Sequence, residues 1–168
     1  DDFLLGFAES TFRQGKYSDV MLIYLCKYFN GPTKQMAELW KAAGEFQIDT
    51  FDLEERILTQ MLYTTDYTPH MEEIYESYCA GGGRDLVCMA YLSYFANMYL
   101  TEDAVVPEHV FRQIRERYLT GGDLNRVCRI ALLKYLSENH LSERDRKIAD
   151  ELLDTCIRHN LYFAFFRK

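Results

Sequence analysis

The stretch that decides the fold is GKYSDVMLIYLCKYF, Gly15–Phe29. Its outline returns as GGGRDLVCMAYLSYF at Gly81–Phe95, and more loosely as GDLNRVCRIALLKYL at Gly122–Leu136. Each copy opens on glycine, passes a short polar link and enters an apolar run spaced as a helix. A short amphipathic helix cannot bury its own apolar stripe, so a chain that writes one stripe repeatedly is built to stack its copies.

Working outward, proline and glycine punctuate the rest. Pro32, Pro69 and Pro107 stand where helices should begin, since a fixed φ suits the first turn and the missing N–H costs nothing there. Asp49, Asp123 and Ser142 are candidate N-caps. Gly15, Gly44, Gly81–Gly83 and Gly121–Gly122 fall where a helix would stop. The spacing between these marks predicts helices over 2–14, 17–29, 33–45, 50–64, 69–80, 84–99, 107–119, 123–138 and 143–159.

The helices pair. Val20, Leu53, Leu86 and Val127 anchor the second member of each pair, at spacings of 33, 33 and 41 residues. Four positions on stand Tyr24, Ile57, Ala90 and Ala131; five on, Leu25, Leu58, Tyr91 and Leu132; eight on, Tyr28, Met61, Tyr94 and Tyr135. The first members read Leu4-Phe7-Ala8-Thr11, Met36-Leu39-Trp40-Ala43, Met71-Ile74-Tyr75-Tyr78 and Phe111-Ile114-Arg115-Tyr118. Ala149, Leu152, Leu153 and Cys156 begin a fifth pair. The expected fold is all-α: a right-handed α-solenoid of about four and a half helix-turn-helix repeats, about nine helices, in one domain over residues 1–168. The missing initiator Met and the abrupt end suggest a fragment of a longer protein.

The spacing of Phe7-Ala8, Ile74 with Tyr78 and Ile114 with Tyr118 resembles the tetratricopeptide repeat. Trp40, Tyr75 and Arg115 depart from it, standing where that motif places a small residue. A second resemblance rests on Tyr28-Phe29-Asn30-Gly31-Pro32-Thr33 and on Phe51-Asp52-Leu53-Glu54-Glu55-Arg56-Ile57-Leu58, which are similar to part of a family of large Firmicutes proteins of unknown function. It implies a helical segment of a bigger, cytosolic bacterial protein and carries no catalytic residue with it.

Composition excludes several classes. The hydrophobic fraction of 48% suffices for a core, and no apolar run reaches transmembrane length. Residues 1–100 hold 7 Lys/Arg against 15 Asp/Glu, an acidic balance that argues against nucleic acid as a partner. Arg112, Arg115, Arg117, Arg126 and Arg129 alternate with acids and read as a solvated surface. Cys26, Cys79, Cys88, Cys128 and Cys156 are odd in number and form no C-x-x-C, so reduced core thiols in a cytoplasmic protein are expected.

Catalytic and metal signatures are weak. His70, His109, His140 and His159 form no ligand spacing; His70 with Glu73 reads as a surface pair, and no metal or cofactor is expected. Cys79 near His70 and Cys156 near His159 read as idle thiols. Gly81–Gly83 lacks the Lys-Ser/Thr and preceding strand of a phosphate loop and reads as a flexible stop. Glu54-Glu55, Glu72-Glu73 and Glu76 read as solvated carboxylates.

The expected function is a protein- or peptide-binding scaffold without catalytic activity, the alternative a structural spacer in a larger multidomain bacterial protein, and the third an enzyme whose site is not recognised. The tetratricopeptide resemblance implies a concave face made by first helices: Lys34, Ala37 and Lys41, then Pro69, Glu72 and Glu76, then His109, Arg112 and Glu116. Its mixed charge implies neither an acidic nor a basic peptide. No membrane or nucleic-acid partner is expected. Leu161, Tyr162, Phe163, Phe165 and Phe166 form an apolar tail expected to fold back or to join two copies as a homodimer.

Overall fold

A computed structural model describes residues 2–102, 104–139 and 142–159. These hold nine helices and no strand: α1 (Asp2–Arg13), α2 (Asp19–Tyr28), α3 (Thr33–Glu45), α4 (Phe51–Thr64), α5 (Met71–Ala80), α6 (Asp85–Thr101), α7 (Glu108–Leu119), α8 (Arg126–Glu138) and α9 (Glu143–Arg158). The chain divides into two compact units, Asp1–Cys88 and Met89–Lys168, with α6 running through the division. The apolar tail expected to mediate dimerisation lies outside the described residues.

Helix starts follow local chemistry. Ser18, Asn125 and Ser142 cap α2, α8 and α9, each accepting a backbone N–H three residues on. Asn125 therefore takes the role expected of Asp123. Pro32 and Pro107 sit at the N-caps of α3 and α7. Pro69 sits earlier than expected, in a turn two residues ahead of α5.

The four first-in-pair helices end alike. Lys16 N–H reaches Thr11 O at 3.1 Å, Ile48 reaches Ala43 O at 3.1 Å, Gly83 reaches Tyr78 O at 2.9 Å and Gly122 reaches Arg117 O at 2.9 Å. This six-to-one closure needs a left-handed residue just before the donor. Gly15, Gly82 and Gly121 supply it at φ 69, 84 and 70°, and Gln47 does so at φ 55°. Gly44, expected to end the third helix, lies within α3; the chain runs on and turns at Gln47 instead. Gly83 has its own constraint: a Cβ there would stand 2.4 Å from the Tyr78 ring. The triple glycine is thus a tight stop made by close packing.

In the unit Asp1–Cys88, α2 packs on α1, α3 and α4, α3 packs on α4, and α4 packs on α5. Its core is Leu22, Leu25, Met36, Leu39, Leu53, Ile57, Leu58, Met61, Met71, Ile74, Tyr75 and Tyr78, all at 1% exposure or less. In the unit Met89–Lys168, α8 packs on α7 and α9. Tyr91 and Leu92 of α6, Ile114 of α7, Ala131 and Leu132 of α8 and Leu152 of α9 are buried there.

The buried face expected from sequence is found in α4 and, at Ala131 and Leu132, in α8, where Val127 and Tyr135 are half-buried; it is not found in α2 and α6. Val20 and Leu86, expected as anchors, are 70% and 80% exposed. The buried faces are Leu22-Leu25-Cys26-Phe29 and Cys88-Tyr91-Leu92-Phe95, matching Glu54-Ile57-Leu58-Met61 and lying one residue later than expected. The reason is visible in α6, DLVCMAYLSYFANMYLT, which is apolar on nearly every side, so that spacing alone does not select a face. α1 departs as well: Leu4 and Phe7 are exposed and only Ala8 is buried.

Candidate functional site

The residues expected to face a partner fall on three helices. Lys34 and Lys41 are exposed on α3, which packs on α4 beside α5. Glu76 is exposed and Glu72 half-buried on α5, whose N-cap His70 places its ring 6.1 Å from that of Trp40 on α3. Arg112 and Glu116 are exposed on α7. His109 is a correction. It is 2% exposed, and its Nε2 lies 2.7 Å from the Tyr91 hydroxyl. Position by analogy put His109 on the surface, but the first turn of α7 faces α6, where an imidazole finds a buried hydrogen-bond partner. Ala37 is likewise buried, under the α3 face.

Arg112 edges a cleft of about 300 Å³ lined also by Glu108, Phe111, Arg115, Tyr135 and Asp145. Its wall is an ion pair, Arg115 Nη2 to Asp145 at 2.6 Å, joining α7 to α9. The Ser142 hydroxyl, and then Arg115, hold the Asp145 carboxyl below the usual carboxylate range. Arg115 is therefore a half-buried structural cation, in place of the solvated residue expected.

The densest polar chemistry lies where sequence reading placed a solvated pair. Glu54 is 2% exposed. Its Oε1 accepts from Trp40 Nε1 at 2.9 Å, from Thr50 Oγ at 2.9 Å and from Ser77 Oγ at 2.7 Å. One carboxylate oxygen thus ties α3, the start of α4 and α5. Burying a carboxylate costs free energy unless donors meet it, and three donors meet this one. Glu54 also lines a cleft of about 620 Å³ with Lys27, Asp49, Thr50, Asp52 and Ser77, an acidic setting suited to hydrogen-bond donors or a cationic group. No sequence signal marks Glu54 apart from Glu55.

Glu55 acts on the other side of α4. It accepts from the Tyr78 hydroxyl and from Arg84 Nε and Nη2, the Nε bond being 3.2 Å. The bond from Tyr78 is the main cause holding its carboxyl low. The Tyr78 phenol is pushed up, first by burial and then by Glu55. Tyr78 hydroxyl also accepts from Arg84 N–H at 3.1 Å, so this cluster fixes the turn between α5 and α6 against α4.

Residue spacing gives no reason to pair Cys79 with Cys88. Cys79, in the last turn of α5, places Sγ 2.7 Å from Sγ of Cys88, in the first turn of α6. They are nine positions apart in sequence, and the tight turn through Gly82 and Gly83 brings them together.

Among the described residues, no group of three or more His, Cys, Asp or Glu is placed to hold a metal ion, and no helix is long and apolar enough to cross a membrane. One protein-family model, that of a family of unknown function (DUF5717), C-terminal, matches residues 1–168. No curated protein and no solved structure matches the chain.

Proposed function

Since the chain belongs to the DUF5717 C-terminal family over residues 1–168, its function has to be read from its own surface, and we propose a scaffold that binds a protein or peptide. The observation that carries this reading is the packing of residues 1–88. There α2 and α4 lie against each other, α3 and α5 both pack on α4, and both keep charged residues in solvent, Lys34 and Lys41 on α3 and Glu76 on α5. Helix pairs that bury one stripe and present the other are the working parts of helical-repeat binding proteins. On this reading the helix pairs belong to a right-handed, tetratricopeptide-like solenoid, in which Glu72 adds to the charge presented by α5, and Arg112 and Glu116 present charge on α7 within their own unit.

A cytoplasmic setting in a larger bacterial protein fits the cysteines, which lie among apolar residues. The test is charge reversal. Lys34→Glu with Lys41→Glu should leave the melting curve unchanged, because both side chains are exposed, and should weaken capture of a partner by the immobilised chain. Equal capture by the reversed and original surfaces would remove α3 from the binding face.

A further inference from the structure

Of the five cysteines, four are buried and Cys79 is half-buried. Burial pushes the Cys26 thiol up to about 11, and pushes Cys128 and Cys156 up as well. Cys79 and Cys88 differ in setting. Cys79 is half-buried at the end of α5, Cys88 is 2% exposed, and both are thiols. Their sulfurs, at 2.7 Å, are roughly 0.7 Å farther apart than the disulfide bond length of about 2.05 Å.

The backbone already holds the two thiols in that position. Gly83 N–H is bonded to Tyr78 O at 2.9 Å, and Val87 and Cys88 N–H are bonded to Arg84 O at 2.9 and 3.2 Å. Arg84 is in turn tied to Glu55 and Tyr78. The turn is therefore fixed on both sides of the sulfur pair. Pre-positioned partners convert a bimolecular encounter into an intramolecular one, which favours closure over a lasting adduct with an external thiol.

We propose that Cys79 and Cys88 form a reversible disulfide in exchange with a low-molecular-weight disulfide, Cys79 being the entry thiol and Cys88 the resolving thiol. In the first step the Cys79 thiolate attacks one sulfur of the reagent. The reagent S–S bond breaks, and one small thiol leaves with the electron pair and takes up a proton. In the second step the Cys88 thiolate attacks Cys79 Sγ, and the second small thiol leaves in the same way. Two protein thiols are oxidised by two electrons, and one reagent disulfide is reduced to two thiols. The product staples the last turn of α5 to the first turn of α6.

The test uses the full chain, oxidised glutathione as the reagent, acid trapping, alkylation and peptide mapping by mass spectrometry. The expected result is loss of two hydrogens with a Cys79–Cys88 cross-linked peptide, no linkage to Cys26, Cys128 or Cys156, a raised melting temperature and full reversal by dithiothreitol. Cys88→Ser should accumulate glutathione on Cys79, and Cys79→Ser should take none at Cys88; circular dichroism checks that both variants are folded. The peptide map of the unaltered chain decides the matter even if a variant fails to fold. The proposal is overturned if glutathione persists on Cys79 in the unaltered chain. It is equally overturned if both thiols remain alkylatable after dithiothreitol in the same tube has been fully oxidised, or if oxidation lowers the melting temperature.

Discussion

Replacing Glu54 by Ala removes the single acceptor shared by Trp40, Thr50 and Ser77. A hydrogen bond to a charged group contributes about 1.5–3 kcal/mol, and a donor left buried and unmet costs about 1–3 kcal/mol. The three losses do not simply add. Ser77 is exposed and Thr50 half-buried, so their hydroxyls recover water, whereas the Trp40 N–H is held between α3 and α4. Losing a methylene of packing adds about 0.8 kcal/mol, and removing a desolvated carboxylate returns part of the total. The expected net destabilisation is about 2–4 kcal/mol. Glu54→Gln keeps an acceptor in the same place and should cost about 1 kcal/mol or less. Urea unfolding followed by far-UV circular dichroism measures both. Trp40 is the only tryptophan, so its fluorescence reports on the bond itself. A double-mutant cycle with Trp40→Phe should return a coupling of about 1.5–3 kcal/mol. If Glu54→Ala stays within about 0.5 kcal/mol of the unaltered chain, a range typical of surface substitutions, the three-helix clamp is refuted.

Three further outcomes are expected. Leu22→Ala should cost about 2–5 kcal/mol, the usual cost of truncating a packed side chain, while Val20→Ala should stay within about 0.5 kcal/mol; the reverse order in chemical denaturation would restore the earlier register of α2. Gln47→Gly should raise stability by about 0.5–1 kcal/mol, because glycine occupies a left-handed position without the Cβ clash; a lower melting temperature would show that the Gln47 side chain is needed there. Glu55 and Asp145 have carboxyls held below their unfolded values, so their contribution is complete above about pH 5 and is lost as pH falls through the folded pKa values. Stability measured against pH should therefore have a shallower acid limb in Glu55→Gln and Asp145→Asn, and unchanged slopes would show that neither carboxylate is coupled to folding.

Much of the fold is legible in the sequence. Helix positions followed from apolar spacing and from Gly15, Pro32, Pro107 and Gly121, whose backbone preferences act locally. What was lost depended on tertiary contact. In α6 the helix is apolar on most sides, so the choice between Leu86 and Val87 as the inward residue is made by neighbouring helices. Glu54 and Glu55 are chemically alike and adjacent, yet one is buried under three donors and the other clamps a turn; only the partners on α3, α5 and the α5–α6 turn distinguish them. His109 was misplaced because position was borrowed from another repeat family, and its burial depends on Tyr91 standing opposite. The Cys79–Cys88 contact arises from a turn whose tightness rests on Gly83 packing against Tyr78, a detail that residue spacing does not encode.

The central claim, that the charged surfaces of α3 and α5 bind a partner, is tested most directly by site-specific photo-crosslinking in cells. A photoreactive residue replaces Lys41 or Glu76 in turn, with Val20 on α2 and Tyr63 on α4 as exposed controls on other helices. The account predicts a discrete adduct from Lys41 and Glu76, absent from the controls and lost when Lys34 is also reversed to Glu. Adducts from Val20 or Tyr63 with none from Lys41 and Glu76 would contradict it.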